Sequence, residues 1–298
     1  MKKILTLIVA LAMSAVCLFS MVGCGDKDEF SGRVKFIDVK LSEESYGVAV
    51  SREDADLLNE VNSVLTSKAT EIEALFTKYA NADETDATLK VAGVVAYNDS
   101  MDGNSNYLVM ATDAPFAPYE YMVGDGYAGI DIEIGKMIAD HLGKTLAIKQ
   151  TAFDTICTVV NQGGADIGLA GLTITPARQV TVNFSKPYFE EAYQVIVVPE
   201  EVTTFDNKTA EEIVQILKGM EKGTKVGSQT GTTGAKYILG DIGDADGFGF
   251  VGYSNLTLKQ YATHADAVRD MVNGQVDFCI VDNAVAASIV TQVNAAVK

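Results

Sequence analysis

The chain has 298 residues, with 23 Lys and Arg set against 40 Asp and Glu, for a formal charge of −17. A surface this acidic repels phosphate backbones, so nucleic acid is excluded as an expected partner. Two histidines, at 141 and 264, and four scattered cysteines give no metal-ligand spacing, so no metal or other cofactor is expected.

Residues 1–23 begin with Lys2 and Lys3 and continue as an apolar run to about Val22, the pattern of an export signal. The Met-Val-Gly-Cys sequence that ends at Cys24 resembles a lipobox, in which cleavage precedes the cysteine and its thiol carries a diacylglycerol. Met21 stands where Leu is commoner, and an uncleaved membrane anchor is the alternative. Either way the expected location is extracytoplasmic, held at a bacterial cell membrane. Residues 24–32 are a polar tether. The chain beyond exceeds one typical domain of ~100 to 150 residues, so two lobes are expected. Cys157 and Cys279 fall in apolar runs of different lobes, and a disulfide between them is not expected.

Residues 33–51 read as two strand-like runs joined by an acidic bend, with no neighbouring strand to pair with. Leu58, Val61 and Leu65, then Ile72, Leu75 and Phe76, recur at helical spacing and predict one or two amphipathic helices. An acidic linker follows, and the apolar stretch 89–97 has no assigned structure. From Asn106 strands and helices alternate. NYLVMAT predicts a strand; Ile130, Ile134, Met137, Ile138 and Leu142 mark one face of a helix ended by Gly143. TLAIKQ is a strand, FDTICTVVNQGG a helix with Asp154 as N-cap, ADIGLAG a buried strand, and Thr175-Pro176 a helix start. A second series runs from YQVIVV to NAVAASIVTQV and stops without a closing strand. Two βα series predict an α/β protein whose lobes each hold a mostly parallel sheet flanked by helices.

NYLVMATDAPFAPYEY, GYAGIDIEIGKMIADHLG, FDTICTVVNQGGADIGLAGLTITPARQVTVNFSKPYF, KVGSQTGTTG and VNGQVDFCIVD follow one another in an order that resembles the polar amino-acid-binding proteins of ABC importers, family 3 solute-binding proteins. That family continues past its last βα unit with a strand, a hinge containing Tyr-Gly-(Ile/Val)-Ala-Val and final helices. Similar pieces stand here at residues 34–79: KFIDVKL, EESYGVAVS, DLLNEVNSVL and IEALFTKYA. The resemblance thus implies a type II periplasmic-binding fold in circularly permuted order. Residues 33–43 would supply the closing strand of lobe 2 (191–298), and residues 46–190, including the linker 80–106, would form lobe 1. Hinges are expected at 43–46 and 189–192. The competing reading is an ordinary N-terminal extension.

The same resemblance implies the site. Arg178 would grip a ligand carboxylate through its planar fork. Thr173 and the Gly171 backbone would lie at a strand's C-terminal end. Thr232 and Thr233 would offer a helix start, and Asp282 would pair with the ammonium. Phe116 and Phe153 would sandwich the side chain, and Asp113 and Gln229 would meet its polar end, while Tyr119 reads as packing. No catalytic set stands out. The expected function is capture of a polar L-amino acid by a monomer that docks on an ABC permease. The alternatives are a cyclohexadienyl dehydratase-like enzyme on the same fold and a ligand-sensing lipoprotein.

Overall fold

The computed structural model describes residues 32–80, 82–241 and 247–297. The expected signal, Cys24 and the tether up to Ser31 lie outside the described residues.

The N-terminal segment forms β1 (Val34–Ile37), β2 (Glu44–Tyr46) and β3 (Ala49–Ser51), then α1 (Ala55–Ser67) and α2 (Ala69–Tyr79). The linker contributes β4 (Val94–Ala96). The first series comprises β5 (Tyr107–Thr112), the hairpin β6 (Tyr121–Val123) and β7 (Gly126–Ala128), α3 (Ile130–His141), β8 (Thr145–Gln150), α4 (Ile156–Asn161), β9 (Ile167–Gly168), α5 (Pro176–Gln179) and β10 (Val182–Phe184). After β11 (Phe189–Ala192) come β12 (Gln194–Pro199), α6 (Ala210–Gly219), β13 (Thr224–Gln229), α7 (Thr233–Leu239), β14 (Leu256–Tyr261), α8 (His264–Val272), β15 (Phe278–Asp282) and α9 (Asn283–Ala296).

Two sheets organise the molecule. One has the order β1-β12-β15-β13-β14, the other β10-β3-β9-β5-β8-β4. The N-terminal strands therefore serve both. β1 runs antiparallel to β12, with Val34 opposite Pro199 and Ile37 opposite Ile196, while β3 lies between β10 and β9. Between them, β2 pairs antiparallel with β11, so the two segments that pass from one sheet to the other form a ribbon. This ribbon coincides with the expected hinges.

The expectation of mostly parallel sheets needs correction. β13 is parallel to β14 and β15, and β5 to β8 and β9, as right-handed βα units dictate. The crossing segments, however, return in the opposite sense, so β1-β12, β12-β15, β10-β3 and β3-β9 are antiparallel. Both sheets are mixed. The apolar stretch 89–97, which had no assignment, supplies β4, parallel to β8 at the sheet edge. Asp154 is not an N-cap: a 3-10 turn at Phe153–Thr155 precedes α4, whose cap position is Thr155 without a side-chain bond.

The first and last described elements meet. Val34 N–H donates to Asn294 Oδ1 and Asn294 Nδ2 donates to Val34 O, each over 2.8 Å. One apolar cluster, including Val34, Tyr46, Ile132, Val197, Val281 and Val285, runs through both halves; separate clusters fill the opposite face of each sheet.

Candidate functional site

The C-terminal ends of the central strands face one another across the ribbon, as open α/β sheets place their ligand sites. From the six-stranded half come Asp113 and Phe116 after β5, Phe153 before α4, and the turn 171–178 after β9. From the five-stranded half come Gln229 at the end of β13, Thr232 and Thr233 at the start of α7, and Asp282 at the end of β15.

These groups meet directly across the cleft. Gln229 Nε2 donates to Asp113 Oδ2 over 2.7 Å, and the Phe153 N–H reaches the same oxygen at 3.2 Å. Arg178 Nη1 donates to Thr173 O at 2.8 Å and Nη2 to Gly231 O at 3.2 Å, so one guanidinium touches both halves. Its centre lies 5.0 Å from the Phe153 ring, a cation–π contact. Thr233 Oγ1 donates to Thr173 Oγ1 at 3.3 Å. Phe116 stacks on Tyr119 and faces the His264 ring at 5.7 Å. Phe116 and Phe153 thus each have a different protein partner, Tyr119 and His264 for the one and Arg178 for the other.

Gly171 needs to be glycine on two grounds. Its φ is +54°, and a Cβ there would lie 2.7 Å from Phe116 Cε1. Its N–H donates to Asp131 Oδ2 at 2.8 Å, which fixes the turn that carries Thr173 and Arg178. Thr175 caps α5 by accepting from the Arg178 N–H. Thr232 is likewise used locally, since its hydroxyl donates to Gln229 O and accepts from the Ala235 N–H as the N-cap of α7. Thr233 is the threonine of the pair whose hydroxyl reaches the other half.

Asp282 occupies the N-cap position of α9 yet makes no side-chain capping bond. Its Oδ1 instead accepts from Tyr46 Oη at 2.6 Å and Gln194 Nε2 at 3.0 Å, and His264 Nε2 lies 3.5 Å from Oδ2. Gln194 Nε2 also reaches Glu44 Oε1, which accepts from Ser42, while Glu44 Oε2 accepts from Thr173 Oγ1 at 2.7 Å. A continuous polar chain therefore links Arg178 to Asp282 through Thr173, Glu44 and Gln194, on one side of the molecule.

Tyr46, Glu44, Gln194 and His264 are members of this cluster that the sequence reading missed. The signal for Tyr46 was present in the hinge motif; buried polar residues such as Gln194 show no periodic mark.

Burial disfavours ionisation of Asp282, but the His264 imidazole and the Tyr46 and Gln194 hydrogen bonds outweigh it and hold the carboxyl below the usual range. Burial raises Glu44, and the charge of Asp282 raises it further. Asp113 is pushed up to about 6 by burial, opposed by the Phe153 and Gln229 hydrogen bonds. A cavity of about 300 Å3 adjoins Asp113 and is lined also by Phe153, Asp154, Gln229 and Thr263. A cavity of about 540 Å3 lies elsewhere, between α9 and residues 79–85, and none of the expected site residues lines it.

A mixed two-sheet α/β molecule with opposed polar groups across a ribbon has the form of a clamshell binding protein. Its residues 108–287 match the family described as bacterial extracellular solute-binding proteins, family 3, and the chain belongs to that family. It is 28% identical over 135 residues to the arginine-binding extracellular protein ArtP of Bacillus subtilis (strain 168), covering 45% of this chain and 48% of ArtP. Over 132 residues it is 29% identical to a cyclohexadienyl dehydratase of Pseudomonas aeruginosa, covering 43% and 48% respectively. The chain thus spans about half the length of these two relatives. Among solved structures, an ancestral arginine-binding protein bound to arginine superposes with a TM-score of 0.51 at 30% identity, covering 64% of this chain and 76% of that one. No described helix is long and apolar enough to cross a membrane.

Proposed function

We propose that this protein is an extracytoplasmic lipoprotein, acylated at Cys24, that captures a polar L-amino acid between its lobes and delivers it to an ABC importer. What carries this reading is Arg178. Its guanidinium stands in the cleft over Phe153, bonded to neutral carbonyl oxygens from both halves, with no ion pair to a carboxylate among the described residues. A fork held by neutral acceptors keeps its charge for an arriving carboxylate. Thr173 and Thr233 flank it, the Gly171 turn positions it, and Asp282 is the counter-charge for the ammonium. Asp113, Gln229 and the neighbouring Asp154 suit a side chain with N–H groups, a basic one or an amide, in keeping with the names of the arginine-binding relatives. Because ligand partners come from both halves, binding favours the state in which the halves meet.

The permuted order belongs to the same proposal. The family match begins at residue 108, yet residues 34–51 supply strands to both sheets, and the start of β1 lies against the end of α9. A thermal-shift screen of the twenty amino acids and cystine tests the function: a true ligand raises the midpoint in proportion to its occupancy, and a flat response to all of them defeats the reading.

A dehydratase is the second reading, favoured by the Pseudomonas relative and by the buried His264–Asp282 pair in the cleft. Product formation from prephenate or arogenate would select it.

A further inference from the structure

The two oxygens of Asp282 are unequal. Oδ1 is saturated by Tyr46 and Gln194, whereas the neighbour of Oδ2 is His264 Nε2 at 3.5 Å, longer than a well-formed N–H···O bond. His264 is 2% exposed, and neither of its ring nitrogens has a hydrogen-bond partner among the described residues. The ring faces the cleft, against Phe116 of the other half. Among the groups around it, Asp282 ends β15 and Asp113 follows β5. Gln194 of β12 and Tyr46 of β2 reach it through Asp282. On β14, Lys259 Nζ and Tyr261 Oη are engaged by Asp270 farther along α8. The oxygen that an ammonium needs is thus the one that an imidazolium would occupy.

We propose that His264 and the ligand's ammonium compete for Asp282 Oδ2, so that capture of an amino acid expels the proton from a charged His264. This rests on the amino-acid reading given above. Two cations on one buried oxygen repel, so the ligand prefers the neutral imidazole; by reciprocity the proton weakens the ligand. Affinity therefore falls as the solution is acidified through the imidazole titration, by up to about tenfold per pH unit for one proton. Asp113, pushed up to about 6 by burial, acts in the same direction on a cationic side chain. The diagnostic quantity is consequently the difference that removing His264 makes, read with a neutral as well as a cationic ligand.

The test is calorimetric titration of L-arginine and of L-glutamine into the full chain between about pH 5 and pH 8, in buffers of different ionisation enthalpy, for wild type and His264→Gln. The expected result is proton release and weakening toward the acid end in wild type, with the variant losing the release and holding level affinity for glutamine. Binding by wild type with level affinity, or an identical slope in the variant, would overturn the competition while leaving the amino-acid reading intact. In a ligand-free arm, the imidazole resonances of His264 are titrated by NMR in wild type and Asp282→Asn. Loss of the paired carboxylate is expected to make the ring harder to protonate in the variant, and an unmoved midpoint would overturn the pairing. If none of the twenty amino acids binds, the functional reading and the competition fall together, with the pairing still decided by NMR.

Discussion

Tyr46 and Asp282 are 236 positions apart, and Tyr46 Oη donates to Asp282 Oδ1 over 2.6 Å with both residues buried. The bond ties the ribbon to the end of the central strand β15. Replacing Tyr46 by Phe keeps the ring contacts with Tyr119 and Phe189 but removes a donor to a buried charge. The expected loss is about 1.5 to 3 kcal/mol of folding stability, measured by urea denaturation. An unchanged midpoint would show that Gln194 and His264 suffice for Asp282.

Arg178→Ala leaves a ligand carboxylate with weaker pairing in a half-buried site. It should weaken amino-acid binding by about 2 to 5 kcal/mol in calorimetry, while the melting temperature of the free protein changes little. Unaltered affinity contradicts the carboxylate role.

Gly171→Ala forces a side chain into the left-handed region and against Phe116. A cost of about 1 to 2 kcal/mol in stability is expected from the backbone alone, with a further loss of affinity as the 171–178 turn shifts. Equal stability to wild type would mean the turn relaxes without cost.

Asp131 gives a pH prediction with a definite sign. Burial pushes its carboxyl up to about 7, against the hydrogen bonds from the Gly171 N–H and Tyr188. An unfolded aspartate titrates near ~3.9, so between these values the folded state holds a proton that the unfolded state has lost. The contribution to stability is full below about pH 4 and is lost as pH rises through about 7. Asp131→Asn, neutral throughout, should therefore gain on wild type over that window in paired urea melts. A difference independent of pH would refute this.

The permuted order is testable by re-splicing. Joining the end of α9 to the residue before β1 with a short Gly-Ser link, and opening the chain between residues 98 and 106, keeps β4 attached to α2. The rearranged protein should fold and bind with wild-type affinity. Failure to fold, with the link long enough to span the Val34–Asn294 contact, would argue against it.

The βα repeats were legible because buried parallel strands and amphipathic helices leave apolar patterns, and Gly143 and Thr175 mark ends where predicted. The crossing strands were legible only through the resemblance to a known family, since β1 and β3 pair with residues more than a hundred positions away. Asp154 was misread because a 3-10 turn intervenes before α4, and β4 was unread because two half-covered valines and an exposed alanine beside a glycine carry no alternation. Of the residues that meet across the cleft, Arg178, Asp113, Gln229 and Asp282 were singled out as candidates by position in ordered motifs. Glu44, Gln194 and His264 were not, because a buried polar cluster is assembled by tertiary contact and leaves no spacing in the chain.

The clasp between Val34 and Asn294 also decides how the molecule would bear load. Both described extremities belong to the five-stranded half, β1 in its sheet and α9 packed against it, and the six-stranded half is an insertion that leaves and returns through one ribbon. In an optical trap, tension applied at the two ends would first detach β1 from β12, before the load reaches the other half. That half should rupture as a separate, later event.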